Sequence, residues 1–195
     1  MVIGERFAWA HLPKTGGDTT RALFHLFPGL VHHADPSDTN DKHATFSERR
    51  EATAGKTLAM NFRRLPAWVL SRAHHVAREG LWPDYQPQPI PSAHALAQSS
   101  LPDERLLHFM CSADVRIDRW LRLEHLREDF LDFVSDLVAV TPEQGRSVRE
   151  LPPADVASYD RDLRRWFTRA QLHRLYEVNP TWAALERELY GHLLG

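Results

Sequence analysis

The stretch from Phe7 to Phe27 constrains the fold more than any other part of the chain. Phe7-Ala8-Trp9-Ala10-His11-Leu12 is a short, mostly apolar run, the pattern of a strand covered on both faces, and it stops at Pro13 and the pair Gly16-Gly17. Behind the glycines, Asp18, Thr19 and Thr20 each offer a helix cap. Ala22, Leu23, Leu26 and Phe27 then follow helical spacing until Pro28-Gly29 ends it. The chain is expected to run strand, glycine loop, helix.

The same alternation recurs. Lys56 to Phe62 reads as a second strand, and Pro66 suits the first turn of a helix with Val69, Leu70, Ala73, Val76 and Ala77 on one stripe. Trp120-Leu121-Arg122-Leu123 is a third strand. Leu126, Phe130, Phe133, Val134, Leu137 and Val138 form a helix expected to end near Thr141-Pro142. Thr168-Arg169-Ala170-Gln171 fits a capping box, Asn179-Pro180 breaks that helix, and Thr181 is placed to cap a last one through Tyr190. Strands alternating with helices imply an α/β fold, a mostly parallel central sheet flanked by helices, with ligands bound at the carboxyl ends of its strands.

Between these elements lie two irregular stretches. Val31 to Arg50 is polar and histidine-rich, with a turn at Asp35-Pro36-Ser37-Asp38 and a short helix beginning within Ser47 to Glu51. Residues 80–102 hold Pro83, Pro87, Pro89, Pro91 and Pro102 with Trp82 and Tyr85, the composition of an irregular excursion. With 195 residues the chain suits a single domain spanning 1–195.

A net charge of -2 gives no global field towards nucleic acid, so an anion site has to be local. Cys111 is the only cysteine, which excludes an internal disulfide and a cysteine-rich zinc site and fits a reducing, cytoplasmic compartment. No stretch reaches the roughly 18 apolar residues of a membrane span. His32/His33 and His74/His75 are adjacent, whereas a helix brings together residues three or four apart, so no metal site is expected.

Pro13-Lys14-Thr15-Gly16-Gly17-Asp18-Thr19-Thr20 has the chemistry of a phosphate cradle. Its glycines let the backbone approach an anion, the following helix presents unpaired N–H groups, Lys14 adds a charge, and Thr15, Thr19 and Thr20 add hydroxyls. The same residues also suit a plain tight turn before a capped helix. It is not a Walker A loop, because Lys14 precedes the glycines. Gly55-Lys56-Thr57 imitates the end of that motif, but Arg50 stands where its first glycine belongs.

His11-Leu12-Pro13-Lys14-Thr15-Gly16-Gly17 resembles the 5′-phosphosulfate loop of sulfotransferases that use 3′-phosphoadenosine 5′-phosphosulfate (PAPS). Arg63 to Ser71 is similar to the family's second motif, in which an Arg at a strand end and a Ser eight residues on hold the 3′-phosphate. Pro66 stands three residues after Arg63 and two after Arg64, where the family has two, so Arg63 is the first choice and Arg64 the reserve. Leu121 to Phe133, with Arg122, Glu124 and Asp129, and the ending Leu189-Tyr190-Gly191 also resemble family segments. A third, glycine-rich element has its nearest counterpart in Gly145-Arg146-Ser147.

The resemblance implies a P-loop NTPase-like sulfotransferase fold and transfer of a sulfuryl group from PAPS to a hydroxyl or amine acceptor, without a metal. Adenosine 3′,5′-bisphosphate would be the nucleotide product. Pro13 to Thr20, Arg63 and Ser71 would hold the nucleotide, and Lys14 would stabilise the leaving phosphate. A base of near-neutral pKa serves the acceptor. His43, in Lys42-His43-Ala44-Thr45, leads because related bacterial sulfotransferases carry a similar Lys-His-Ala segment there, and His33 is second. The acceptor, a small molecule or a glycan, is not written in the sequence, nor is the oligomeric state. A divergent nucleoside or small-molecule kinase and an inactive nucleotide-binding module are the alternatives.

Overall fold

Strands form where the apolar runs lie, and two more appear beside them. In the computed structural model, which describes residues 1–36, 38–78, 90–110, 115–154 and 156–194, β1 (Val2–Ile3), β2 (Phe7–Ala10), β3 (His33–Ala34), β4 (Thr57–Phe62) and β5 (Arg119–Arg122) form one sheet. Among the described residues its order is β3-β1-β2-β4-β5. β4 lies parallel to β2 (Ala10 opposite Met60) and to β5 (Phe62 opposite Arg122), as the alternation requires. β1 is antiparallel to both β2 and β3, so the sheet is mixed rather than mostly parallel. The reason is local: the chain folds back on itself between Ile3 and Phe7, where the Gly4 N–H donates to the Phe7 carbonyl at 3.0 Å.

The chain packs as two compact units, Met1–Phe62 with Leu107–Val156 and Arg63–Leu106 with Ala157–Gly195. The first holds the whole sheet, together with α1 (Gly17–Phe24), the short α2 (Arg50–Thr53), α6 (Leu126–Ser135) and α7 (Pro142–Glu150). Its core is aromatic. Phe24 of α1 stacks on Phe7 at 5.3 Å and meets Phe130 of α6 edge-on at 5.1 Å, while Phe133 stands edge-on to Phe7. Removing any of these buried rings is worth about 3 to 5 kcal/mol, so the packing of α1 and α6 on the sheet fixes where the glycine loop sits.

Two helix boundaries here differ from expectation. Gly16 occupies the N-cap position of α1, without a side-chain bond, so none of Asp18, Thr19 or Thr20 caps it. The helix from Leu126 ends at Ser135. Thr141-Pro142 opens α7 instead of closing α6: the Thr141 hydroxyl and Gln144 form a capping box with Pro142 in the first turn. Gly145-Arg146-Ser147 lies inside this helix.

The second unit is helical, with α3 (Leu65–Arg78), α4 (Ile90–Ala97), most of α5 (Leu101–Met110), α8 (Arg169–Glu177) and α9 (Pro180–Tyr190). The expected stripe Val69, Leu70, Ala73, Val76 and Ala77 is buried. The irregular stretch over 80–102 is partly corrected: Pro91 and Pro102 are second residues of α4 and α5, where a missing N–H costs nothing. Pro83, Pro87, Pro89, Trp82 and Tyr85 lie outside the described residues, as does Cys111.

Two buried carboxylates close helix ends from a distance. Asp103 of α5 accepts from the N–H groups of Thr181 and Trp182 at 2.8 and 2.7 Å, so it caps α9, a role expected of Thr181. Glu186 of α9 accepts from the Leu65 N–H at 2.7 Å and so caps α3. Trp68 and Trp182 pack at 5.2 Å behind them.

Candidate functional site

The glycine loop leaves β2 at its carboxyl end and returns into α1. Lys14 has φ 66° and Gly16 φ 89°, both left-handed. For a lysine that conformation costs about 1 kcal/mol, so the rest of the loop must hold it. The holding group is Asn61, fully buried on β4. Its Nδ2 donates to the Thr15 carbonyl at 2.9 Å and to the Thr20 hydroxyl at 2.7 Å, and its Oδ1 accepts from Trp9 Nε1 at 2.7 Å. The Thr15 hydroxyl donates to the Leu12 carbonyl at 2.6 Å, and the Thr20 hydroxyl and N–H both donate to the Gly16 carbonyl. Thr15 and Thr20 therefore stiffen the loop with the protons that sequence reasoning gave to a ligand. Thr19 differs. Its hydroxyl accepts from the Ala154 N–H at 2.9 Å and keeps its proton to donate.

Both glycines are required by close approach. A Cβ on Gly17 would stand 2.0 Å from His11 Nε2, and one on Gly16 would stand 2.4 Å from Leu123 Cδ1. His11 fills the space behind Gly17 and is 3% exposed, and Leu123, just past β5, closes over Gly16.

His43 lies against this loop. It closes a 3-10 turn at Asn40–His43, and its Nδ1–H donates to the His11 carbonyl at 3.0 Å. A carbonyl only accepts, so the proton sits on Nδ1 and Nε2 carries the lone pair, the tautomer a general base needs. The His11 and His43 rings are 4.6 Å apart. Burial lowers the pKa of His43, with the bond to the His11 carbonyl opposing. Burial lowers that of His11 well below the ordinary range, and the neighbouring His43 adds to the effect. Both are thus neutral at pH 7. His33, the second candidate, is 56% exposed on the edge strand β3 and bonds the buried Asp35 through Nε2 at 2.9 Å. A carboxylate only accepts, so Nε2 is the donor in that bond.

At the end of β5, Arg122 makes a two-point ion pair with Asp129 of α6, which also accepts the Arg122 N–H at 2.8 Å. This locks the turn that carries Leu123.

Arg63, Arg64 and Ser71 belong to the helical unit. Arg64 is built into its structure: it pairs with the fully buried Glu186 at 3.2 Å, donates to the His192 carbonyl at 3.1 Å and lies 4.1 Å over the Tyr190 ring. Arg63 is anchored through its main chain, where Trp182 Nε1 donates to its carbonyl at 3.0 Å, and its guanidinium reaches the Tyr159 hydroxyl. Ser71 is half-buried on α3, two turns on.

Sequence reasoning missed Asn61, Trp9, Leu123 and Tyr159. Only Asn61 left a signal, as the one polar residue within Leu58-Ala59-Met60-Asn61-Phe62. Among the described residues, no three His, Cys, Asp or Glu side chains gather as a metal site, and no helix is long and apolar enough to cross a membrane. No protein-family model matches the chain, and neither the curated proteins nor the solved structures yield a match.

Proposed function

We propose that the chain is a sulfotransferase that moves a sulfuryl group from PAPS to a hydroxyl or amine acceptor, on a P-loop-like sulfotransferase fold. One observation carries the reading. The segment that resembles the family's phosphosulfate loop is a stiffened cradle between β2 and α1, with Lys14 held in a left-handed conformation by Thr15 and Asn61. Backbone strain of this kind persists where the surroundings over-determine it, and it clusters at ligand clamps. The N-terminus of α1, which opens at Gly17, suits a sulfate or phosphate group.

In this reading Pro13 to Thr20 hold the 5′-phosphosulfate, with Asp18 in the first turn of α1 and Thr19 as hydroxyl donor. Arg63 with Ser71 holds the 3′-phosphate, Arg64 being engaged with Glu186. His43 Nε2 takes the acceptor's proton as the acceptor oxygen or nitrogen attacks sulfur. The bond from sulfur to the bridging oxygen breaks on the opposite side, and the Lys14 ammonium stabilises the charge left on that oxygen. No metal enters. The acceptor is a small molecule or glycan, and the lone cysteine supports a cytoplasmic setting.

The test is calorimetry with adenosine 3′,5′-bisphosphate, 5′-AMP and ATP. The bisphosphate is expected to bind far more tightly than AMP, with no change on adding EDTA. Equal affinity for AMP, or magnesium-dependent preference for ATP, overturns the reading.

A further inference from the structure

Ser71 lies on α3 one turn before the buried His74, and Arg63 stands just ahead of the helix. The Tyr159 ring stacks on the His74 ring, with centroids 4.2 Å apart and planes 8° from parallel. Its hydroxyl accepts from Arg63 Nη2 at 3.4 Å. One end of the tyrosine is fixed beyond Ser71 and the other at Arg63 before it, so the phenol spans the turn of α3 that carries the serine. The support is braced in turn. Trp166 stands edge-on to His74 at 5.0 Å, and its Nε1 donates to the carbonyl of Asp160, the residue after Tyr159, at 2.7 Å. The Asp160 carboxylate pairs with Arg165 at 2.9 Å.

A phenol that accepts from an arginine keeps its own proton to donate. We infer that Tyr159 is a further ligand residue for the phosphate monoester assigned to Arg63 and Ser71, accepting from the guanidinium and donating to a phosphate oxygen. Three donors, one of them charged, then recognise the 3′-phosphate. The identity of that phosphate rests on the sulfotransferase reading.

Tyr159→Phe keeps the ring on His74 and removes only the hydroxyl. Calorimetry on the full chain compares adenosine 3′,5′-bisphosphate with 5′-AMP. The variant is expected to lose about tenfold in bisphosphate affinity, the worth of one bond to a charged group, with AMP affinity unchanged. In the Arg63→Ala background the same substitution is expected to cost less, because the phenol has lost its partner. Unchanged bisphosphate affinity overturns the assignment, and so does an equal loss for both ligands, which marks a packing role. Should Tyr159→Phe melt early, the Arg63→Ala background decides: undiminished loss there overturns the coupling. A wild-type chain that does not prefer the bisphosphate overturns the sulfotransferase reading itself and this assignment with it.

Discussion

Asn61→Ala tests the loop's scaffold without reference to any ligand. The wild-type side chain makes three buried bonds, from Trp9 Nε1, to the Thr15 carbonyl and to the Thr20 hydroxyl. Truncation leaves the Trp9 N–H and the Thr15 carbonyl without their partner, whereas Thr20 still donates to the Gly16 carbonyl at 3.2 Å. Each orphaned group costs about 1 to 3 kcal/mol, so the variant is expected to lose about 3 to 5 kcal/mol, a large part of a typical domain's stability. At roughly 2 to 4 °C per kcal/mol for a chain of this size, the melting temperature falls by about 6 to 20 °C. Urea unfolding followed by tryptophan fluorescence measures the loss directly. A second arm isolates the hydrogen bond: Trp9→Phe with Asn61→Leu removes the Trp9–Asn61 pair together and is expected to cost less than the sum of the single changes. A loss below about 1 kcal/mol for Asn61→Ala would refute the scaffold argument, because such a value is that of a solvated surface amide.

Three further outcomes follow from the geometry. His43→Ala is expected to leave adenosine 3′,5′-bisphosphate binding intact while turnover falls about a hundredfold and the acid limb of its pH profile disappears; a retained limb places the base elsewhere. Arg64→Ala, which strips a partner from the fully buried Glu186, is expected to cost about 3 kcal/mol in chemical denaturation, and Arg63→Ala is expected to weaken binding of adenosine 3′,5′-bisphosphate, read by calorimetry. His11, His43 and His74 all have pKa values lowered by burial from the ordinary 6.5. The unfolded chain therefore takes up protons first, and their contribution is complete above about pH 6.5 and lost as pH falls below it, by up to about 1.4 kcal/mol per pH unit for each proton. Unfolding free energies between pH 7.5 and 5 check this, and a flat profile contradicts it.

The loop was legible because proline and glycine punctuate locally: Pro13 and Gly16-Gly17 fix where a strand must stop, whatever surrounds them. β2 and β4 were legible for the same reason, each being a mostly apolar run that ends at a breaker or a helix start. β1 and β3 were not, since a two-residue strand has no periodicity and owes its existence to the partner beside it. Thr141-Pro142 was read as a stop although Thr141 and Gln144 carry the same capping box as Thr168 and Gln171; proline ends one helix and begins another equally well. What lay beyond sequence reasoning was the partner of each polar group. Nothing local says that Asp103 rather than Thr181 caps α9, that Thr15 and Thr20 turn their hydroxyls on the loop's own carbonyls, or that Glu186 pairs with Arg64.

The distant carboxylate caps also bear on the order in which the helical unit assembles during synthesis. The Leu65 N–H waits for an oxygen 121 residues later in the chain, and Thr181 is closed by one 78 residues earlier. Translation adds about 5 to 20 residues per second, so α3 leaves the ribosome seconds before Glu186 exists to complete its first turn. Until α9 is made, Trp68 of α3 also lacks Trp182 to pack on. A ribosome-stalled chain ending before Glu186 is accordingly expected to be cut by protease within α3, and one extended through α9 to be protected.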